Sequence, residues 1–152
     1  GMIKVMERTM PKPWNPKPKP DPTNTVEYGK YLAKIGDCYS CHSTWSTPGK
    51  VKEGMDFAGG NDFHLPDGII VRSPNITPDL ETGIGNRSKE NFIGLFKSFK
   101  EPIKLPEGQS HENTVMAWSS YAGMTEDDLG AIYDYLQTIK PVKNVVEKYP
   151  KK

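Results

Sequence analysis

Two cysteines and a histidine stand in one five-residue run, Cys38-Tyr39-Ser40-Cys41-His42. This spacing is the c-type haem attachment pattern. Two thiols so placed reach the two vinyl groups on one edge of a porphyrin and form thioethers. The adjacent imidazole then binds iron from the proximal side. The chain has no third cysteine, and a pair this close cannot staple a long loop. A zinc site would need two more ligands, and His64 and His111 lack the paired spacing of zinc modules. A thioredoxin-like redox pair wants a strand before it, whereas a helical pattern precedes Cys38.

Six-coordinate iron needs a second donor on the distal side. The candidates are Met55, Met116, Met124, His64 and His111. A methionine ligand raises the reduction potential and suits reversible electron transfer. Met116 falls in a loop just before the last helical pattern, where the chain can cross the far face of the ring. Met124 sits at a helix entry and reads better as a packing residue against the first turn. Met55 lies in a Gly-containing loop, and the histidines read as surface or locally bonded groups.

The elements that must position these residues follow from periodicity. Thr25 to Ile35 reads as a helix capped by Thr25, with Tyr28, Tyr31, Leu32 and Ile35 on one face and Gly36 as its stop. A second helix spans about 88–99, capped by Ser88, with Phe92, Leu95, Phe96 and Phe99 as its apolar face. The last begins at Thr125 with acidic residues at 126–128, buries Leu129, Ile132, Tyr133, Leu136 and Ile139, and stops at Pro141. Residues 43–87 are rich in turns, with Phe63 to Leu65 and Ile69 to Val71 as a small hairpin. The fold class is all-α with long loops, which need something to pack on.

Composition agrees. Apolar types with the 14 glycines make up roughly two-fifths of the 152 residues, below the about 45–50% of an average globular domain. A buried cofactor would supply apolar surface without chain entropy. The net charge of +1 offers no basic stripe for nucleic acid, and no run of 18 apolar residues marks a membrane span. Prolines at 11, 13, 16, 18, 20 and 22 read as a semi-rigid tether. The expected organisation is a tag remnant and Pro-rich linker over 1–23, a haem domain over 24–146 and a tail over 147–152. Gly1-Met2 reads as the start of a cut fragment, with any secretion signal outside it.

The run GKYLAKIGDCYSCH, then FAGG at 57–60, NITPDLETGIG at 75–85, MAW at 116–118, YAGMTEDDLGAIYDYL at 121–136 and PVKN at 141–144 together resemble a family of bacterial cytochromes c. That family includes the haem subunits of membrane-bound alcohol and gluconate dehydrogenases and related two-haem proteins. The resemblance covers about 24–146. It implies a class I cytochrome c fold around one covalent haem c, with thioethers at Cys38 and Cys41, proximal His42 and distal Met116. Ala117 stands where the family usually has Pro, and Trp118 is retained. The first and last helices are expected to cross, with Gly29 and Tyr31 facing Tyr135 and Leu136. The segment Asn75-Ile76-Thr77 resembles a loop near the haem edge. Asn75, Thr77, Arg72 and the Trp118 indole N–H are candidate donors to the propionates. Asp79 and Glu81 are too few for calcium and read as a solvated turn.

The implied function is single-electron transfer, not catalysis, in a bacterial respiratory or dehydrogenase-linked chain. Partners would be redox proteins or another domain of the same parent, in the periplasm or on the outer face of the cytoplasmic membrane. The alternative is a haem enzyme or gas sensor with an open distal site, peroxidase-like, using His64 or His111 as acid–base group. A non-haem metal module is a third reading.

Overall fold

The computed structural model describes residues 16–65, 68–100 and 115–150. His111, the loop with Pro102, Pro106 and Gly108, the Pro66-Asp67 turn and the chain before Pro16 lie outside the described residues.

Helix α1 spans Thr25–Ile35. Its cap is Asn24 rather than Thr25: the Asn24 side chain accepts from the Glu27 N–H at 3.3 Å. Gly36 N–H donates to the Leu32 carbonyl at 2.8 Å, and Asp37 adopts a left-handed conformation (φ 52°) that redirects the chain. Asp tolerates this region better than most residues. A short helix α2, Cys38–His42, comes immediately after it.

Two hairpins come next. Strands β1, Trp45–Thr47, and β2, Lys50–Val51, form one that the sequence pattern does not announce. Strands β3, Asp62–His64, and β4, Ile70–Arg72, form the expected one, pairing Asp62 with Arg72, Phe63 with Val71 and His64 with Ile70. The strands thus sit one residue from the expected bounds at each end. Helix α3, Lys89–Lys97, is capped by Ser88 as expected, its hydroxyl accepting from Asn91 N–H at 3.2 Å. Helix α4, Trp118–Ala122, is short; α5, Glu126–Thr138, starts in a complete capping box between Thr125 and Asp128.

The core lies where α1 crosses α5, with α3 packed on α5. Leu129 and Leu136 are fully enclosed. The α1 face differs from the expected one. Tyr28, Gly29, Leu32 and Ala33 are buried, while Ile35 is 62% exposed. Gly29 explains the rotation. A Cβ there would lie 1.8 Å from the Ala131 carbonyl oxygen, so the helices touch backbone to backbone. Gly29 therefore faces Ala131, not the Tyr135-Leu136 pair. Beside the contact, Tyr28 Oη donates to Asp128 Oδ1 at 2.8 Å. The Lys19 ammonium lies 4.7 Å from the Tyr28 ring centre, so the end of the Pro-rich segment rests on this crossing.

A buried polar network ties the C-terminal stretch to the loop after β4. Asn75 Nδ2 donates to Val142 O (2.7 Å) and to Thr82 Oγ1 (3.0 Å). Its Oδ1 accepts from Thr77 N–H (2.9 Å) and Thr77 Oγ1 (2.8 Å). Val142 N–H donates to Thr77 Oγ1 at 3.1 Å, and Asn144 Nδ2 to Ala58 O at 2.8 Å. Asp79 Oδ1 takes three donors from Glu81 and Thr82, and Glu81 pairs with Lys143 at 2.5 Å, so this acidic turn is closed on itself.

Three substitutions test these contacts by urea unfolding of the purified protein. Gly29→Ala is expected to lose about 1–3 kcal/mol or more because neither backbone can yield. Gly94→Ala in α3, where a Cβ meets nothing within 4 Å, is expected to gain about 0.5–1 kcal/mol from helix propensity. Asn75→Ala removes the partner of four buried or part-buried groups, Val142 O, Thr82 Oγ1 and the N–H and Oγ1 of Thr77, and is expected to cost roughly 2–4 kcal/mol. A loss below about 0.5 kcal/mol, the range of ordinary surface substitutions, would contradict the network's role.

Candidate functional site

The five motif residues fold as α2, and this is why their spacing matters. Positions i, i+3 and i+4 share one helical face. Cys38, Cys41 and His42 therefore point together into one cavity of about 580 Å³, a size typical of cofactor pockets. The cavity is walled by parts from across the chain: Pro74 and Asn75 from the loop after β4, Leu95 and Phe99 from the α3 end, Met116, Trp118 and Tyr121 from the α4 region.

His42 is buried at 7% exposure, and its Nδ1 lies 2.9 Å from the Pro74 carbonyl oxygen. That carbonyl can only accept, so Nδ1 carries the proton and Nε2 keeps its lone pair for a metal. Burial pulls the imidazole pKa down, against the smaller upward pull of the Pro74 carbonyl. A ligating histidine must be neutral, and this one is kept so. Burial pushes the Cys38 thiol up to about 11 and raises Cys41 as well. Among the described residues no group of three or more His, Cys, Asp or Glu is placed to hold a metal ion.

Met116, which also lines the cavity, is half-buried, and its carbonyl accepts from Trp118 N–H at 2.9 Å. The Trp118 ring stacks on Phe99 (centroids 4.4 Å apart, 17° between planes) and leans on Phe96 at 5.4 Å. These aromatic contacts fix the chain after Met116 although Ala117 replaces the expected proline. Of the other methionines, Met124 packs against the core in the turn before α5, as its position suggests, and Met55 borders a separate, smaller hollow beside Lys52. His64 is exposed on β3, while its neighbour Phe63 faces the cavity.

The candidate polar donors divide. Arg72 lines the cavity and holds Asp62 through Nε–Oδ1 at 2.7 Å. Trp118 lines it too. Asn75 borders the cavity, but both its side-chain polar atoms are engaged in the network described above. Thr77 is fully buried and is not among the lining residues. These two side chains hold the C-terminal stretch rather than reach into the cavity. Three contributors escape a reading of sequence alone. Pro74 offers only a backbone carbonyl. Tyr121 lies in α4, too short to show periodicity. Its Oη donates to Gly36 O at 2.5 Å, bridging the Met116 side to the start of the motif. Lys148 falls beyond the expected domain end at 146, yet it lines the cavity and its carbonyl accepts from Arg72 N–H at 2.9 Å.

The residues present fit a covalent haem: two thiols and one neutral imidazole on a single helical face, a thioether lining the same cavity, and mostly apolar walls. Comparison with known proteins agrees. The family model for cytochrome c matches residues 26–140. The chain is 37% identical over 118 residues to the gluconate 2-dehydrogenase cytochrome c subunit of Pantoea cypripedii, covering 77% of this chain and 24% of that protein. It is 32% identical over 118 residues to the alcohol dehydrogenase (quinone) cytochrome c subunit of Gluconobacter oxydans (strain 621H), covering 77% and 22%. It is 32% identical over 131 residues to the fructose dehydrogenase cytochrome subunit of Gluconobacter japonicus, covering 86% and 24%. The chain thus spans about a quarter of the length of these relatives. The family match runs from the first turn of α1 to the residue before Pro141, and with it the chain belongs to the cytochrome c family and has the class I cytochrome c fold.

Proposed function

We propose that this chain is a single-haem electron carrier with His42 and Met116 as axial ligands, serving a dehydrogenase. The observation that carries the reading is the shared cavity: Cys38, Cys41 and His42 line it from one short helix, and Met116, from a distant part of the chain, lines it too. One attachment motif and two cysteines support a single haem. The bound haem supplies a one-electron iron couple whose potential the axial ligands and surroundings set.

The chain's own residues do the rest. Cys38 and Cys41 tether the ring edge. His42 offers Nε2, with Pro74 holding the other ring nitrogen and hence the tautomer. Met116 offers a neutral thioether, which favours the reduced state. Leu95, Phe99 and Trp118 give the cavity an apolar wall that would keep water from a haem held there. Arg72 places a cation at the wall, suited to one carboxylate of the cofactor. Asn75 and Thr77, instead of donating to the cofactor, support the wall indirectly by fixing the C-terminal stretch.

Three relatives are named as cytochrome subunits of sugar-acid, alcohol and sugar dehydrogenases. This supports electrons arriving from such an enzyme, in the periplasm or at the outer face of the cytoplasmic membrane, with this domain within a larger parent chain. The Pro-rich segment would keep it near its partner at high effective concentration. Among the described residues a catalytic distal site finds less support: His64 is exposed on β3 and does not line the cavity.

Visible and near-infrared spectra test the ligand assignment. The oxidised protein should show the weak methionine–iron charge-transfer band, and reduction should give sharp low-spin bands. Met116→Ala should abolish the charge-transfer band and let cyanide or carbon monoxide bind. A high-spin wild-type spectrum that shifts with carbon monoxide would overturn the carrier reading.

A further inference from the structure

Helix α4 is a five-residue strut with Met116 two residues before its start and α5 four residues after its end. Such a short helix has little stability of its own. The last carbonyls of a helix also lack partners within it. Here a side chain from another element supplies them. Lys97, in the last turn of α3, donates from Nζ to Ala122 O at 3.2 Å and to Met124 O. A single ammonium thus holds both sides of the α4–α5 joint, and its charge suits a helix C-terminus. Phe96, the residue before it, packs on Trp118 (5.4 Å) and on Tyr121 (6.1 Å) at the same strut.

We infer that Lys97 is a positioning residue for Met116, acting through α4. This rests on Met116 being the distal ligand, as proposed above. With Ala117 in place of a rigid proline, the Met116 loop takes its direction from the helix after it. Three contacts fix that direction: Trp118 between Phe96 and Phe99 at the start of α4, the Tyr121 hydroxyl on Gly36 O, and Lys97 at its end. Loss of the Lys97 clamp leaves the end of α4 unheld on the α3 side, so that it shifts about the Trp118 and Tyr121 contacts, and the sulfur leaves its optimum without the domain unfolding.

The test is an imidazole titration of the oxidised, haem-bound protein, monitored by loss of the methionine–iron charge-transfer band, with urea unfolding in parallel. Exogenous imidazole competes with Met116, so its midpoint reports how firmly the sulfur is held. K97M, which keeps the aliphatic stem, is expected to lower the midpoint about tenfold, and K97R, which keeps the cation and its donors, to return it toward wild type. Y133F removes the hydrogen bond from Tyr133 Oη to Arg87 O, between α5 and the turn before α3, at residues that do not line the cavity. It is expected to lower urea stability while leaving the midpoint unmoved. If K97M does not accumulate with haem, K97Q carries the same comparison. An unmoved midpoint in K97M or K97Q, or an equal shift in Y133F, overturns the inference alone. A wild-type protein without the band overturns the Met116 assignment itself, and this inference with it.

Discussion

The backbone contact between α1 and α5 at Gly29 and Ala131 is the constraint on which the site depends. Helix α1 runs through Gly36 and Asp37 directly into α2, which carries both cysteines and His42. Helix α5 is preceded by α4 and Met116. Fixing the crossing therefore fixes the separation of the two cavity walls. The Tyr121 hydroxyl on Gly36 O closes the same loop from the other direction, joining α4 to the point where α1 gives way to the motif. Side chains at the crossing would lengthen every one of these distances, which is why glycine stands there.

Within that frame the chemistry is one of neutral groups held in place. The imidazole is buried and bound through Nδ1, burial raises both thiols, and the Met116 thioether on the same cavity carries no charge. A low-dielectric site built this way leaves the cofactor's own charge change as the main electrostatic event. A bound haem c, which membership of the family implies, would add apolar surface to a sequence poor in apolar side chains. The long stretch between α2 and α3 is ordered by hairpins, by the Asn75 network, by contact with the C-terminal stretch, and by Phe57 and Ile84, which join the hydrophobic core.

How much can be read from the residues depends on the range of the forces involved. The motif and the three long helices are legible because spacing, capping and 3.6-residue periodicity are local. Ser88 and the Thr125–Asp128 capping box are where a reader would place them. Ile35 departs from its expected place on the buried face because periodicity alone cannot show that Gly29, with no side chain, marks the true contact. Helices α2 and α4 have five residues each, too few for a periodic signal. The roles of Asn75 and Thr77 are hidden for a different reason. Their partner Val142 is 67 and 65 positions away, and a side-chain bond to a distant backbone carbonyl leaves no trace in composition. Tyr121 and Pro74 act through single long-range bonds of the same kind.

The central claim is that Cys38, Cys41 and His42 hold one haem covalently. It is tested most directly by the intact mass of protein made in cells with haem-attachment machinery and measured after denaturation. The account predicts a mass exceeding the bare 17.0 kDa chain by a single haem, and the bare-chain mass when both cysteines are replaced by alanine. A wild-type protein that folds and retains only the bare-chain mass would contradict it.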